Sequence, residues 1–186
     1  MTPNRYFLVQ AYNNAWANHR LLGACRTLTP QELQVTRTSF FPSILKTLNH
    51  ILTVDWFYVS ALEGRPMGPS AFEPELPFLD FTDLEREQRA IDRRLIDHCR
   101  QMTPDDLDRE VVIPRQTHEQ RERADRLLLH LFQHQIHHRG QVHAMLSGTR
   151  TKPPQLDEFF CASATDQALR RGDLTELGFS ETQIWD

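Results

Sequence analysis

The amino-acid sequence predicts an all-α protein, a four-helix bundle with short C-terminal helical segments, built as a single domain over residues 1–186. Four long segments carry apolar residues at three- and four-residue steps, which is the spacing of amphipathic helices. The strand-like stretch DREVVIP is long enough for an edge hairpin at most, so no parallel sheet is expected. With 39% hydrophobic residues, a chain of 186 residues can bury one sizeable core.

The first two helices are expected to fill much of that core. In the first, at about residues 4–27, an apolar stripe runs along YFLVQAYNNAWANHRLLGACRTL. The second runs through ILKTLNHILTVDWFYVSALE, after Ser43, whose hydroxyl can cap its N-terminus, and it ends at Gly64. Because this second helix is apolar nearly all round, we expect it at the centre of the bundle.

The remaining elements follow from capping residues and helix breakers. Residues 65–81 contain four prolines and form a long loop; such loops often shape a pocket, although a plain connector is the simpler interpretation. Thr82 with Glu85 makes a capping box that opens the third helix, which ends before Pro104. The fourth helix is predicted over about residues 119–147, and weaker helical patterns in ATDQALRRG and LTELGFSETQIW supply the C-terminal segments.

Composition and charge exclude several classes of protein. The net charge of −4 and the pI near 6.1 argue against a nucleic-acid-binding protein, which normally carries a concentrated basic surface. No run approaches the ~18 apolar residues of a membrane span, and the N-terminus lacks the pattern of a signal peptide. The three cysteines lie far apart, so neither a disulfide framework nor a thiolate zinc site is expected. We therefore expect a cytoplasmic protein with no membrane or nucleic-acid partner.

The fourth helix carries a cluster of histidines in HLFQHQIHHRGQVH, residues 130–143. This stretch contains five of the nine histidines of the chain. On an ideal helix four of them share one face, and His143 lies on the opposite side. Histidines four positions apart can converge on one ion, so two metal clamps are available: His130 with His134, and His134 with His138. Spacing leaves both clamps open, and it also leaves open that these residues only pack or hydrogen-bond along a helix face.

A third candidate ligand lies in the second helix. His50 stands within the apolar segment LNHILTVDWF, where a buried imidazole needs a polar partner, and a metal ion is one such partner. His50 and two histidines of the fourth helix would form a His₃ site, which leaves coordination positions open for water or substrate. The alternative is that His50 donates a hydrogen bond to a backbone carbonyl, to Thr53 or to Asp55.

Other polar residues near the cluster receive lesser roles. His137 is angled away from the clamps and is a candidate for a supporting or helix-interface contact. Arg139 and Gln141 could orient ligands or substrate, although a solvated helix face is the simpler interpretation. No pair of carboxylates stands out by its spacing, so the sequence identifies no catalytic acid or base.

Three segments of the chain resemble the signature segments of the DinB family, also called DinB/YfiT-like proteins: YNNAWANHRLL, SILKTLNHILTVDWFY and HLFQHQIHHRGQVHAML. The resemblance covers essentially the whole chain, and its most specific elements are LNH and QHQIHHRGQ. Carried over position by position, it implies that the metal ligands are His50, His134 and His138. It also implies a four-helix bundle of the DinB/YfiT type, a homodimer, and a divalent metal, zinc or nickel, in a cleft at the end of the bundle.

The same resemblance carries an expectation about chemistry. Characterised relatives include transferases and isomerases that use low-molecular-weight thiols such as bacillithiol or mycothiol. We therefore expect a metal-dependent enzyme acting on a small molecule, such as a thiol S-transferase whose metal lowers the pKa of the thiol. The alternatives are a hydrolase that uses metal-bound water, a non-catalytic bundle whose metal is structural or sensed, and a metal-free protein that presents the loop 65–81 to a partner.

Overall fold

The computed structural model describes residues 2–185, and these residues fold mainly into helices. The predicted all-α bundle with C-terminal helical segments is confirmed. Two short 3₁₀ turns lie in the connections, at Gly68–Phe72 and Pro104–Asp108. In chain order the other elements are α1 (Pro3–Cys25), α2 (Pro30–Gln34), α3 (Ile44–Leu62), α4 (Phe81–Gln101), β1 (Glu110–Pro114), β2 (Glu119–Arg123), α5 (Ala124–Leu146), α6 (Ala164–Leu177) and α7 (Glu181–Trp185).

The four long helices form the bundle. α1 packs chiefly against α4, and α3 packs against both α4 and α5. α3 is buried nearly all round, as its composition predicts, and the Ser43 hydroxyl caps it by accepting a hydrogen bond from the backbone N–H of Lys46. Within residues 2–185, no helix combines the length and the apolar character that a membrane crossing requires.

The start of α5 differs from the prediction. Residues 119–123 were predicted as helix, but they form β2, which pairs antiparallel with β1. β1 buries Val111 and Ile113 against the core and therefore needs a hydrogen-bonded neighbour on its open side. β2, with the sequence EQRER, has no apolar alternation of its own, so its conformation follows from pairing with β1. The helix begins only at Ala124, whose backbone N–H donates to the carbonyl of Arg109.

The N-terminus of α4 also differs from the prediction. The predicted capping box of Thr82 and Glu85 is wrong, because the helix begins at Phe81 and Asp80 is its cap. The Asp80 carboxylate accepts hydrogen bonds from the backbone N–H groups of Thr82 and Asp83, at 2.8 and 3.2 Å. Glu85 lies inside the bundle and binds Arg26 and Arg89 instead.

Asp80→Ala should lower the free energy of unfolding by about 1 kcal/mol, because two N–H groups at the start of α4 lose their acceptor. Urea denaturation followed by circular dichroism measures this loss. Thr82→Ala is the matched control and should leave the midpoint unchanged. A larger loss in Thr82→Ala than in Asp80→Ala would contradict this assignment of the cap.

Asn49, a buried residue of α3, ties the C-terminal part of the long loop between α3 and α4 to the core. The side-chain amide of Asn49 donates to the carbonyl of Phe78, and its Oδ1 accepts from the backbone N–H of Phe78, both at 2.9 Å. This two-way bond holds the loop against α3, one residue before His50. The loop therefore does more than connect two helices, since it is held beside the predicted metal ligand.

A buried polar network joins all four long helices. Its members are Asn14 and Asn18 of α1, Asp55 of α3, Gln88 and Asp92 of α4, and Gln135 and Arg139 of α5. Arg139 is only 4% exposed, so its assignment to a solvated helix face is wrong. It donates to Asn14, Asn18 and Gln135, while Asp55 accepts from Gln88 and Gln135. Because these bonds tie α5 to both α1 and α3, they fix the rotation of α5 about its axis.

Candidate metal centre

Three histidines converge where α3 faces α5. His50 lies on α3, and His134 and His138 lie one turn apart on α5. A ligand nitrogen of each lies within 4.8 Å of those of the other two, and the three rings are half-buried or buried. The centroid of the His138 ring is 4.3 Å from that of His134 and 4.6 Å from that of His50. The structure thus brings together the three histidines to which the resemblance pointed.

The geometry of the nitrogens fits a single small cation. The Nε2 atoms of His50 and His134 are 3.0 Å apart. Two nitrogens held ~2.1 Å from one tetrahedral ion lie roughly 3.4 Å apart, so a small adjustment of either ring would admit the ion. Three imidazoles are a ligand set that suits zinc, nickel and copper.

His138 is oriented for this role by its neighbour on the helix. Its Nδ1–H donates to Oε1 of Gln141 at 2.8 Å, which leaves the Nε2 lone pair free for an ion. The amide of Gln141 in turn donates to Nε2 of His137 at 3.1 Å. Gln141 therefore orients a candidate ligand, the role that sequence alone had left open, and His137 acts by fixing Gln141.

The electrostatics keep the imidazoles neutral. Burial, together with the charge of nearby histidines, lowers the pKa of His134 to about 3 and that of His50 to about 4. Burial also lowers the pKa of His138. A neutral imidazole is the form that binds a metal, so all three rings can act as ligands near neutral pH.

The ring of His50 does not bond to Thr53 or Asp55, the side chains that it was expected to use if no metal ion were bound. The carboxylate of Asp55 accepts from Gln88 and Gln135, and the hydroxyl of Thr53 donates to the backbone carbonyl of His50. The Nε2 atom of His50 instead faces His134. The Nδ1 atom of His134 is buried and has no hydrogen-bond partner among the described residues. Two ring nitrogens that face each other share at most one hydrogen bond, whereas a cation between the Nε2 atoms of His50 and His134 would be bound by both.

The second possible clamp would pair His130 with His134. His130, however, does not join the cluster of His50, His134 and His138. His130 is exposed, and its ring packs edge-on against Tyr58 at a centroid distance of 5.1 Å. Its centroid lies 6.4 Å from that of His134, farther than either His50 or His138. The packing of α3 against α5 therefore favours the clamp of His134 and His138.

A small cavity opens beside His50, with a volume of about 200 Å³. Its wall combines Phe41, which precedes α3, and side chains of α3 with side chains of the loop that Asn49 anchors. The lining residues are Phe41, Lys46, His50, Thr53, Phe72, Glu75 and Leu76. The loop therefore shapes a pocket and is not a plain connector, although the plain connector was the simpler interpretation of the sequence.

Sequence reasoning missed two charged residues in this cavity. Lys46 lies one turn before His50 on α3, so helical spacing could have revealed it. Glu75 belongs to the loop, and nothing in its local sequence indicates that it reaches the cavity. Both side chains carry charges that could bind a polar group of a substrate.

Comparison with known proteins gives matches of three kinds. The model of the DinB family matches residues 2–171. An uncharacterized protein of Bacillus subtilis (strain 168), YizA, is 28% identical over 121 residues, which are 63% of this chain and 72% of that protein. The crystal structure of a DinB-like protein from Bacillus cereus ATCC 10987 superposes with a TM-score of 0.58 at 17% identity, over 75% of this chain and 90% of that one. At this identity the structural match supports the fold alone.

Proposed function

The chain belongs to the DinB family, and from this membership and the three converging imidazoles we propose that it is a metal-dependent enzyme whose ion is held by His50, His134 and His138. The observation that carries the proposal is the convergence of three neutral ring nitrogens from two packed helices. Three protein ligands leave at least one coordination position for a substrate or water, which is the arrangement of catalytic rather than structural zinc sites. Zinc and nickel are the ions we propose, and a homodimer is the assembly.

The reaction we propose is transfer of an electrophilic carbon group to the sulfur of a low-molecular-weight thiol. The C–S bond forms as the bond between that carbon and its leaving group breaks, and the thiol proton passes to solvent. A divalent ion held by neutral imidazoles keeps its full positive charge and would lower the pKa of a thiol bound to it, supplying a nucleophile near neutral pH. The chain's own residues would do the rest. Phe41 and Phe72 exclude water from one side of the cavity, and Lys46 would bind an anionic group of the substrate.

Hydrolysis is the second candidate, because Glu75 lines the same cavity as His50. A carboxylate beside an open metal site can accept a proton from water, which is the role of the general base in many metal-dependent hydrolases. Glu75→Gln would separate the two candidates. It should abolish hydrolysis and leave thiol transfer largely intact.

An activity panel tests the proposed reaction. Protein loaded with zinc or nickel should accelerate the reaction of L-cysteine or bacillithiol with 1-chloro-2,4-dinitrobenzene, and 4-nitrophenyl acetate would report hydrolysis. His134→Ala, treated with the same metal, is the control for catalysis by free ions. If neither reaction depends on His134, the proposed enzymatic role is wrong, even where metal binding persists.

Chelation should remove activity without unfolding the chain. The apolar core closes without help from the histidine cluster, so protein treated with EDTA should keep its helical circular dichroism and a cooperative thermal transition. Re-addition of the ion should restore activity. Loss of the cooperative transition on chelation would favour a structural metal and would contradict a mainly catalytic one.

A further inference from the structure

A second cleft, with a volume of about 1100 Å³, lies between α1 and α5. One wall is the face of α1 from Gln10 to Arg20, the other is α5 from Ile136 to His143, and the segment 152–157 closes one side. None of the three clustered histidines lines it. Because His143 lies across α5 from His134, the cleft and the candidate metal centre use different faces of the same helix.

An unsatisfied polar group lies in the wall of this cleft. Asn13 is 7% exposed, and its Oδ1 atom is buried without a hydrogen-bond partner among the described residues. The two neighbouring asparagines of α1, Asn14 and Asn18, are fully bonded within the core network. A buried acceptor without a donor costs about 1–3 kcal/mol, so a turn of the Asn13 amide toward a ligand that brings an N–H or O–H group would be favourable.

Gly140 keeps the cleft open on the α5 side. It lies inside a regular helix, where glycine costs about 1 kcal/mol relative to alanine. Its backbone is not in the positive-φ region that favours glycine. A Cβ atom built on it would meet nothing within 4 Å, so close packing does not explain the residue either. A side chain at this position would project into the cleft and fill it.

The cleft offers apolar surface and one free positive charge. Ile136 and Phe160 line it and are 48% and 50% exposed, which is high for large apolar side chains. Arg20 already pairs with Asp173 at 3.3 Å. Lys152 also lines the cleft and forms no ion pair among residues 2–185. The one lining carboxylate, Asp157, likewise has no ion pair among these residues and accepts a hydrogen bond from the side-chain amide of Gln155.

We propose that this cleft binds a small amphipathic carboxylate, independently of the function proposed for the metal centre. The apolar body lies between Ile136 and Phe160, the carboxylate pairs with Lys152, and an N–H or O–H group donates to Oδ1 of Asn13. N-acyl amino acids with an apolar side chain carry all three groups. The volume of the cleft is large enough for such a molecule, since ligand pockets commonly measure roughly 300–1,000 Å³.

Isothermal titration calorimetry with three matched compounds tests the ligand class. N-acetyl-L-phenylalanine should bind with a Kd below ~1 mM. N-acetyl-L-phenylalanine amide, in which the carboxylate is replaced by a neutral amide, should bind roughly fivefold more weakly. N-acetyl-N-methyl-L-phenylalanine lacks the N–H donor and should also bind roughly fivefold more weakly, because Asn13 then stays unsatisfied.

Two variants locate the site. Gly140→Leu should weaken binding of N-acetyl-L-phenylalanine more than about tenfold while raising the thermal midpoint, because leucine fills the cleft and favours the helix. Gly172→Leu, at an exposed glycine of α6 that also faces open space, is its control and should leave binding unchanged. Lys152→Ala should weaken binding roughly fivefold, and Arg86→Ala on the surface of α4 should not.

The proposal is supported if Gly140→Leu and Lys152→Ala both weaken the binding of N-acetyl-L-phenylalanine. Absence of measurable binding, or binding that neither variant changes, overturns it. A wild-type dimer that Gly140→Leu converts to monomer in analytical ultracentrifugation also overturns it, because the occupant of the cleft would then be a second copy of the chain.

Discussion

His134→Ala should abolish stoichiometric metal binding. His134 is a proposed ligand, with its Nε2 atom 3.0 Å from that of His50 and its ring centroid 4.3 Å from that of His138. Two remaining imidazoles form an incomplete site, and we expect affinity for zinc or nickel to fall more than about 100-fold, since loss of a supporting contact alone costs 10- to 100-fold. Elemental analysis of protein purified from metal-replete medium, together with titration of the metal-free protein, measures this change.

His130→Ala is the matched control, because it removes a histidine of the same helix one turn away. His130 is exposed and packs against Tyr58, so its loss should leave metal content at about one ion per chain. His50→Ala and His138→Ala should behave like His134→Ala. If His130→Ala loses the metal and His138→Ala retains it, the clamp is His130 with His134, and the proposed ligand set is wrong. Circular dichroism should show that every variant stays helical.

Arg139→Met should lower the free energy of unfolding by about 3–5 kcal/mol, the largest stability effect that we expect from a single substitution in this chain. Arg139 is the cation in a network that also buries the carboxyl groups of Asp55 and Asp92. Burial raises the pKa of both carboxyl groups, and the charge of Arg139 opposes that rise. Methionine matches the apolar stem of arginine, so the loss would come mainly from the uncompensated polar groups. Urea denaturation at neutral pH measures it.

A second substitution keeps this prediction testable if Arg139→Met does not fold. Asp92→Asn removes one of the two buried carboxyl groups, so the double variant should recover part of the lost stability, and the two effects should not add. Arg86→Met removes an exposed arginine of α4 that pairs only with neighbours on its own helix, and it should leave the midpoint unchanged. Equal losses in Arg139→Met and Arg86→Met would show that the network does not stabilise the fold.

The sequence predicted the elements whose conformation depends on nearby residues. The apolar periodicity of α1, α3 and α5 and the Ser43 cap each involve residues within a few positions of one another. The predictions that were wrong concern a helix start with two possible caps and a strand whose hydrogen-bonded partner lies in another segment. Either Asp80 or Thr82 can cap a helix by its residue type, and in the structure Asp80 is the cap. β2 formed because β1 needed a partner, which its own sequence does not indicate.

The candidate site divides in the same way. Spacing alone placed His134 and His138 on one face of a helix, because side chains four positions apart lie about 6 Å apart along its axis. It could not choose between that pair and His130 with His134, and only the family resemblance selected one. The approach of His50, 84 positions earlier in the chain, depends on the packing of α3 against α5. Glu75 reaches the same cavity from the loop that Asn49 holds against α3 at Phe78.

The burial of Arg139 is the clearest example of a property that the local sequence pattern does not determine. A charged residue beside a histidine-rich face is ordinarily solvated, yet this one is buried, because amides and carboxyl groups from three other helices surround it. The sequence by itself determined which segments are helical and which residues share a helix face, since both follow from backbone geometry over one or two turns. The tertiary structure alone decided which faces meet, and so which polar groups are buried together, because that choice depends on packing and hydrogen bonding between segments far apart in the chain.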